Sequence, residues 1–592
     1  MCHCPRLLLA WFCRSNNLTI FGQLNSLLKM TAAIYYHPEA YTTSGPKLMG
    51  RNAAGESFLR GFLKHSKATE FWAQVQKPEH GQQFAQTAKA LGRAEVVKMV
   101  DKSTLPALKD IGMVYFPGPG IGEHAFQRAL AGGLGTSLKN PHTAWSLCGI
   151  THTTSSATAM DALAELITTP VQPWDSVICT STAVKDNVQR LLQAQVNYLQ
   201  ERLGITKLVL PMLPVIPLGI HTQDFEFTDA QKAKARKELG VDHNSLVVLY
   251  VGRLSFHAKA HPLAMYQALE TAAAAVADSA QKIVLVECGW HANDFIENAY
   301  TDAAKQVCPN VQVIKLDGRL ASARETAWAG ADVFCSLSDN IQETFGIVPI
   351  EAMAAGLPVV VSDWDGYKDT VRHGLDGFRI PTCMPQAGLA TDLALRHALE
   401  VDTYDMYCGH TCSLISVDIE ATTQAFIQLF ESAELRQRMG LAGKQRAQQL
   451  YDWSTVIAQY EALWQEQTQL RLAAQTAEQV AVPPHAWPAR IDPFFAFESY
   501  PTQTLKPTSV LVLVDTSVTE ALSRVNHYMS LAMVNFATLV LPTNAEIEHV
   551  LNAAAHGPCS AQTLVQGIET SRQAFVLRSL AWLLKLGVLR LA

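Results

Sequence analysis

Two successive series of short apolar runs, each run followed by a helix-compatible stretch, restrict this chain more than any single residue does. The first series comprises Ile34–Tyr36, Val96–Val100, Met113–Phe116, Ala144–Cys148, Val177–Cys179 and Leu208–Leu210. The second follows the Pro-rich stretch Pro211–Gly219 and comprises Leu246–Val251, Ile283–Val286, Val311–Ile314, Val333–Cys335 and Val359–Val361. Neither series alternates apolar and polar positions as a half-exposed strand would. The runs therefore read as parallel strands covered on both faces. The pattern predicts an α/β protein with two doubly wound domains, residues 30–217 and 218–460, facing each other across a cleft. Ligands of open α/β sheets bind beyond the carboxyl ends of the strands, so the cleft is where a site is expected.

At 592 residues the chain is longer than two such domains require. A long helix is expected from beyond Asp452-Trp-Ser-Thr455 to about Gln475, followed by a Pro-containing linker at Val482–Pro488; residues 461–493, past the second sheet domain, are assigned to this closing helix and linker. Residues 494–592 read as a small, mainly helical accessory domain. Its end, with helices at Ala545–Ala555, Ala561–Ile568 and Ser571–Leu586 and a strand at Val588–Leu591, has a winged-helix pattern. From Phe494 onward there are six basic and six acidic residues, so the positive face of a DNA reader is missing and a structural or protein-docking role is preferred. Residues 1–29 read as an extension ahead of Met30, outside the fold. Met1–Cys13 superficially resembles a short signal sequence but has no convincing small-residue cleavage site.

Hydrophobic residues make up 48% and charged residues 17% of the chain, which excludes a disordered or fibrous protein. The net charge of −6 gives no reason to expect wholesale nucleic-acid binding. No apolar run approaches the ~18 residues of a bilayer-spanning helix. The twelve cysteines are scattered, without the pair spacing of a zinc site or disulfide framework, which points to a reducing cytoplasm. Cys408-Gly-His410-Thr-Cys412 is the one close group; it has no second cluster at finger-like distance, so no metal site is assigned. Phe58, Phe62 and Phe71 near Arg60, Lys64 and Lys67 could touch a membrane surface, but a solvated amphipathic helix is the preferred reading.

The strongest chemical signal is Glu343-Thr-Phe-Gly-Ile-Val-Pro-Ile-Glu351, followed by Ala-Met-Ala-Ala-Gly356 and the buried run Val359–Ser362. Pro349 is tolerated only in a helix's first turn and Gly356 suits a C-terminal cap, so a short helix is predicted to begin at Gly346 or Ile347. Its first N–H groups and positive dipole end make an anion site flanked by two carboxylates. Taken alone, the same residues read equally well as surface charges on an ordinary loop and helix. A second feature tips the balance. The first strand of the second domain ends in Val251-Gly252-Arg253, with Lys259 six residues further on, so two cations stand at a strand's carboxyl end. Cations, a helix N-terminus and a carboxylate able to hold a ribose hydroxyl together describe a nucleotide-diphosphate site.

The Arg253/Lys259 pair, Glu343-x7-Glu351, Gly356–Ser362 and Gly374-Leu-Asp-Gly377 resemble the core of the group 1 (family 4) retaining glycosyltransferases, part of the glycogen-synthase-like GT-B superfamily. Val215-Ile-Pro-Leu-Gly219 at the crossover and Asp452-Trp-Ser454 before the closing helix are further matches. The resemblance spans about residues 30–475. It departs from the family pattern in one extra residue between Arg253 and Lys259 and in an apparent insertion at Tyr404–Ser416. It implies a GT-B fold of two Rossmann-like domains. It further implies that Glu351 binds the nucleotide ribose, that Glu343 contacts the transferred sugar, and that Arg253 and Lys259 neutralise the diphosphate. The backbone of Phe345, Gly346 and Ile347 would touch sugar or phosphate. His152, in Cys148-Gly-Ile-Thr-His152, occupies the place of a family histidine near the anomeric centre.

The loop Ser44–Gly50 with Asn52, directly after the first strand, is read as lining the acceptor and phosphate side through Gly45, Gly50 and Asn52; a simple strand–helix turn is the alternative. It lacks a complete GxGxxG, which weakens a dehydrogenase reading. No cofactor is expected. The partners are a nucleotide sugar as donor, a saccharide, lipid or small-molecule acceptor, no nucleic acid, and a membrane or protein contact through the C-terminal domain. Two other readings stay open: a catalytically silent sugar-nucleotide sensor, and another GT-B enzyme such as a phosphorylase or epimerase.

Overall fold

Each of the two apolar series closes into a six-stranded, all-parallel sheet, seen in a computed structural model describing residues 31–42, 50–131, 140–277, 281–477 and 486–592. The first sheet contains β1 (Ala33–Tyr36), β2 (Glu70–Val75), β3 (Val96–Val100), β4 (Met113–Tyr115), β5 (Ser146–Ile150) and β6 (Ser176–Ile178), in the order β3-β2-β1-β4-β5-β6. The second contains β7 (Leu246–Val251), β8 (Ile283–Gly289), β9 (Gln312–Asp317), β10 (Val333–Ser336), β11 (Val359–Ser362) and β12 (Gly377–Ile380), in the order β12-β11-β10-β7-β8-β9. Both sheets reverse winding direction between their first and fourth strands. Each thus has a crevice at its carboxyl edge where ligands can enter between diverging loops. Helices cover both faces, which is why β5, β8, β10 and β11 are buried along their whole length.

Three details differ from the sequence reading. β2 was not expected, because Glu70 and Gln74 interrupt its apolar run, and Phe71 was grouped with a helix. Phe58, Phe62 and Phe71 are all buried, at 3%, 0% and 1% exposure, so they face the protein core and not a lipid surface. Leu208–Leu210 forms no strand. The chain pairs with β6 only slightly later, through isolated bridges at Met212 and Val215, since the prolines there cannot donate to a continuous ladder. β12 was also missed, being four residues long and opening on glycine.

The helix Trp453–Thr476 runs back onto the first sheet domain. Trp453 is fully buried, and a methyl group at Gly61 or Gly219 would lie 2.5 Å from its ring, so both positions need glycine's missing side chain. The Trp453 indole N–H donates to Ser57 Oγ at 2.8 Å. Further along, Gln467 donates to the carbonyls of Leu147 and Trp174, and Arg471 to that of Thr143. Beneath this helix lies a fully buried ion pair: Arg128 meets Asp175 through two 2.7 Å hydrogen bonds, and Asp175 also accepts from the Leu147 and Gln172 amides.

Residues 487–592 form a separate compact unit. An antiparallel sheet, Cys559–Ser560 beside Val510–Leu513 beside Leu589–Leu591, packs with helices Val518–Met529, Asn544–Ala554, Ala561–Leu564 and Thr570–Lys585 around Leu511, Val525, Leu551, Leu564 and Leu580. The three expected helices and final strand occur at their expected places. The middle helix is shorter, and the Val510–Leu513 strand and Val518–Met529 helix went unread. The expected extension 1–29 and most of the linker lie outside the described residues. The nine cysteines among the described residues are free thiols, and no helix among them is long and apolar enough to cross a membrane.

Removing one member of a buried ion pair leaves the other charge uncompensated. Asp175→Ala should therefore cost about 3–5 kcal/mol, read as a lower midpoint in chemical denaturation. An unchanged midpoint would show that Arg128 finds another partner.

Candidate active site

The loops leaving β7 and β10 flank the switch point of the second sheet, and both bring charge to it. After β10 the chain passes through Leu337–Phe345 and enters the helix Ile347–Ala354 at Gly346, whose φ is +78°. A side chain there would be strained, and a methyl group would lie 1.8 Å from the Tyr367 ring, so glycine is required on both counts. Pro349 occupies the first turn. Gly356, with φ of +80°, closes the far end as Gly356 N donates to Met353 O and Leu357 N to Ala352 O. The helix thus begins and ends as the sequence indicates, with its positive pole at the crevice.

Glu343 sits at that pole. Its Oε1 accepts the Gly346 amide at 3.1 Å, and its Oε2 meets Lys259 Nζ at 2.6 Å. The Glu343 side chain is 11% exposed and that of Lys259 32%, so the pair lies at the floor of the opening. Burial by itself raises the Glu343 pKa, but the Lys259 ammonium and the amides of Thr344 and Gly346 more than offset it, and the net shift is downward. Arg253 belongs to the same loop as Lys259; its guanidinium donates to the Ala258 carbonyl at 3.0 Å, curling the loop on itself. Asn340 Nδ2 donates to the His257 carbonyl and so ties the two loops together.

Three further carboxyls surround this cluster, each pushed up to about 7 by burial. Glu351, partly buried within the helix, is drawn back only by Arg324. Asp339 accepts the His261 amide at 3.3 Å. Asp365, in the loop after β11, has a positive φ of 43° and accepts from Ser181 Oγ at 3.0 Å; Glu343 adds to its upward shift. Asp339 and Asp365 were not singled out in the sequence. Their signal was available, since both follow a buried strand at its carboxyl end.

Residues of the first sheet domain close the other side. Thr344 Oγ1 donates to the His152 carbonyl at 3.3 Å, Thr180 Oγ1 to the Thr344 carbonyl at 3.2 Å, and the Thr182 amide to Asp369 at 2.6 Å. His152 therefore stands beside the Glu343 loop, at the end of β5. Lys259, Glu343 and Gly346 are in direct contact, with His152 one hydrogen bond away. Phe345 contributes backbone only, its ring being buried against Tyr451, and Ile347 begins the helix. Glu351 lies a turn further along, outside the hydrogen-bonded cluster. Gly50 and Asn52 start the Gly50–His65 helix, where Asn52 donates to the Glu39 carbonyl; Gly45 lies outside the described residues. The Cys408-Gly-His410-Thr-Cys412 group is split: His410 pairs with Asp402, and the Cys412 sulfur packs against the Phe256 and His257 carbonyls.

Two doubly wound parallel domains with a charged site assembled from the carboxyl ends of both define the GT-B class of α/β proteins. Residues 231–394, within the second sheet domain, match the family model described as glycosyl transferases group 1. That segment includes Arg253, Lys259, Glu343 and Glu351 but not His152. An uncharacterized glycosyltransferase of Methanocaldococcus jannaschii is 30% identical over 167 residues, 28% of this chain and 39% of that protein. The phosphatidyl-myo-inositol mannosyltransferase of Mycobacterium leprae is 32% identical over 151 residues, 25% of this chain and 30% of that enzyme. The matches thus span well under half of these relatives. A crystal structure of Anabaena HepE in complex with UDP is 15% identical, covering 73% of this chain and all of that one, with a TM-score of 0.44.

Because the folded-state Glu351 carboxyl titrates at about 7 against an ordinary 4.5, ionising it opposes folding. The wild type should lose this stability as pH rises from 4.5 through about 7, whereas Glu351→Gln should not. Thermal melts should therefore coincide near pH 4.5, with the variant melting higher above pH 7. A difference independent of pH would refute the assignment.

Proposed function

We propose that the protein is a retaining glycosyltransferase of hexosyltransferase type, moving a sugar from a nucleoside-diphosphate sugar to a saccharide, lipid or small-molecule acceptor. The observation that carries this reading is the meeting of Lys259, Glu343 and the Gly346 amide at the switch point of a domain whose residues 231–394 match the group 1 glycosyltransferase model. A diphosphate arriving there competes with Glu343 for the ammonium and for the helix pole. Lys259, released from Glu343, and Arg253, released from the Ala258 carbonyl, then face the phosphate oxygens, while Glu343 is freed to accept hydrogen bonds from the sugar.

When the bond between the anomeric carbon and the phosphate oxygen breaks, its electron pair stays on the diphosphate. The cations and the helix N-terminus stabilise that charge as it develops. The acceptor hydroxyl attacks the oxocarbenium-like sugar on the face the diphosphate is leaving, and its proton passes to the departing phosphate oxygen, so configuration is retained. Glu343 orients the sugar and forms no covalent bond, and Glu351 holds the nucleotide ribose. His152 borders the anomeric centre from the first domain. With the leaving group's charge met by protein groups, turnover needs no divalent cation. Gly45, Gly50 and Asn52 line the acceptor side. The free cysteines suit a reducing cytoplasm, and the C-terminal unit serves docking to protein or membrane, with no role in binding nucleic acid.

The test is nucleotide-diphosphate release from a panel of UDP-, GDP- and ADP-sugars, with and without acceptors and in EDTA. Acceptor-stimulated release is expected, and Lys259→Ala should lower kcat/KM by about 10²–10³. Binding without turnover would favour the sensor; full activity of Lys259→Ala would remove the leaving-group role of that lysine.

A further inference from the structure

We propose that Tyr404 is a positioning residue that couples the donor-phosphate loop of the second domain to the first domain at residues 153–155, beside His152. The inference rests on the proposed donor site and concerns how its occupation is transmitted. Tyr404 begins the helix Tyr404–Cys412, within the segment that departs from the family pattern; Thr403 caps this helix by accepting the Met406 amide. Tyr404, Cys408 and Cys412 fall at i, i+4 and i+8, on one face.

That face has two neighbours. At its far end, the Cys412 sulfur lies 3.7 Å from the His257 carbonyl and 3.9 Å from that of Phe256. Gly409 sits so close that a methyl group there would come within 3.0 Å of His257 Cβ. His257 belongs to the loop carrying Arg253 and Lys259, and its carbonyl is also held by Asn340 of the Glu343 loop. Helix and both phosphate-side loops therefore form one packed block. At its near end, the Tyr404 hydroxyl crosses to the first domain, lying 3.0 Å from Ser155 Oγ and 3.3 Å from Thr153 Oγ1. The residue preceding Thr153 is His152, whose carbonyl is held by Thr344.

Any ligand that draws Lys259 away from Glu343 moves the loop on which this helix rests. The displacement reaches the first domain through a helix of 9 residues, about two and a half turns, and a cluster of three hydroxyls. Tyr404 needs no contact with donor or acceptor to act in this way: it sets where the His152 strand end stands relative to the phosphate loop.

The experiment follows hydrogen–deuterium exchange in the full chain with UDP, GDP and ADP in turn, beside sugar-transfer kinetics, for wild type, Tyr404→Phe, Ser155→Ala and the double variant. A nucleotide that protects 253–259 and 343–351 should also slow exchange at 151–156 in the wild type. Tyr404→Phe keeps the packed ring and should retain the first protection while losing the second. Its kcat should fall about 3- to 10-fold, the effect of one lost hydrogen bond, with donor KM unchanged. The double variant should be no worse than the worse single. Protection transmitted to 151–156 in Tyr404→Phe, or single effects that multiply, would overturn the proposal. A wild type in which no nucleotide protects 253–259 or 343–351 would reject the donor site itself, and the coupling with it.

Discussion

The Glu343 carboxylate, held between an ammonium and the positive end of a helix, organises everything around it. An anion at a helix N-terminus and a cation beside an anion are each modestly favourable at a surface. Here both converge on one group with 11% of its side chain exposed, where solvent screens less. The protein thereby engages both Lys259 and the helix pole while the lysine side chain stays 32% exposed.

The surrounding carboxyls show the cost of this arrangement. Glu351, Asp339 and Asp365 all resist ionisation because they are withdrawn from water with too little positive charge to offset the loss. Asp365 also carries a left-handed backbone, a strain that persists where surrounding contacts hold it, here the Ser181 hydroxyl from the other domain. Perturbed acids and backbone strain gathered at one cleft are what a binding site produces when its residues are selected for a ligand and not for their own stability.

Rigidity is supplied from behind. The Arg128–Asp175 pair, the buried Trp453 and the Trp453–Thr476 helix fix the first sheet domain far from solvent, while Thr180, Ser181, Thr344 and Tyr404 make polar hydroxyl contacts across the cleft, beside a hydrophobic cluster that includes residues of both sheet domains. Polar contacts of this kind exchange readily with water, whereas a packed tryptophan does not.

How much of this was readable from residues alone depended on the range of the interaction concerned. The interior strands, the start of the helix at Gly346 and its stop at Gly356 were legible because apolar runs, a proline and two glycines act through local sterics. β2 was not, since Glu70 and Gln74 break a pattern that only packing restores; nor was the fate of Phe71, which a helical spacing placed on the wrong surface. The motifs named Lys259 and Glu343 without saying that they pair, because 84 residues and three strands separate them. Asp339, Asp365 and Tyr404 stood in the sequence as ordinary loop or insertion residues. Their environments, and so their chemistry, arise from desolvation and from neighbours on other strands, which exist only once two sheets have folded and met.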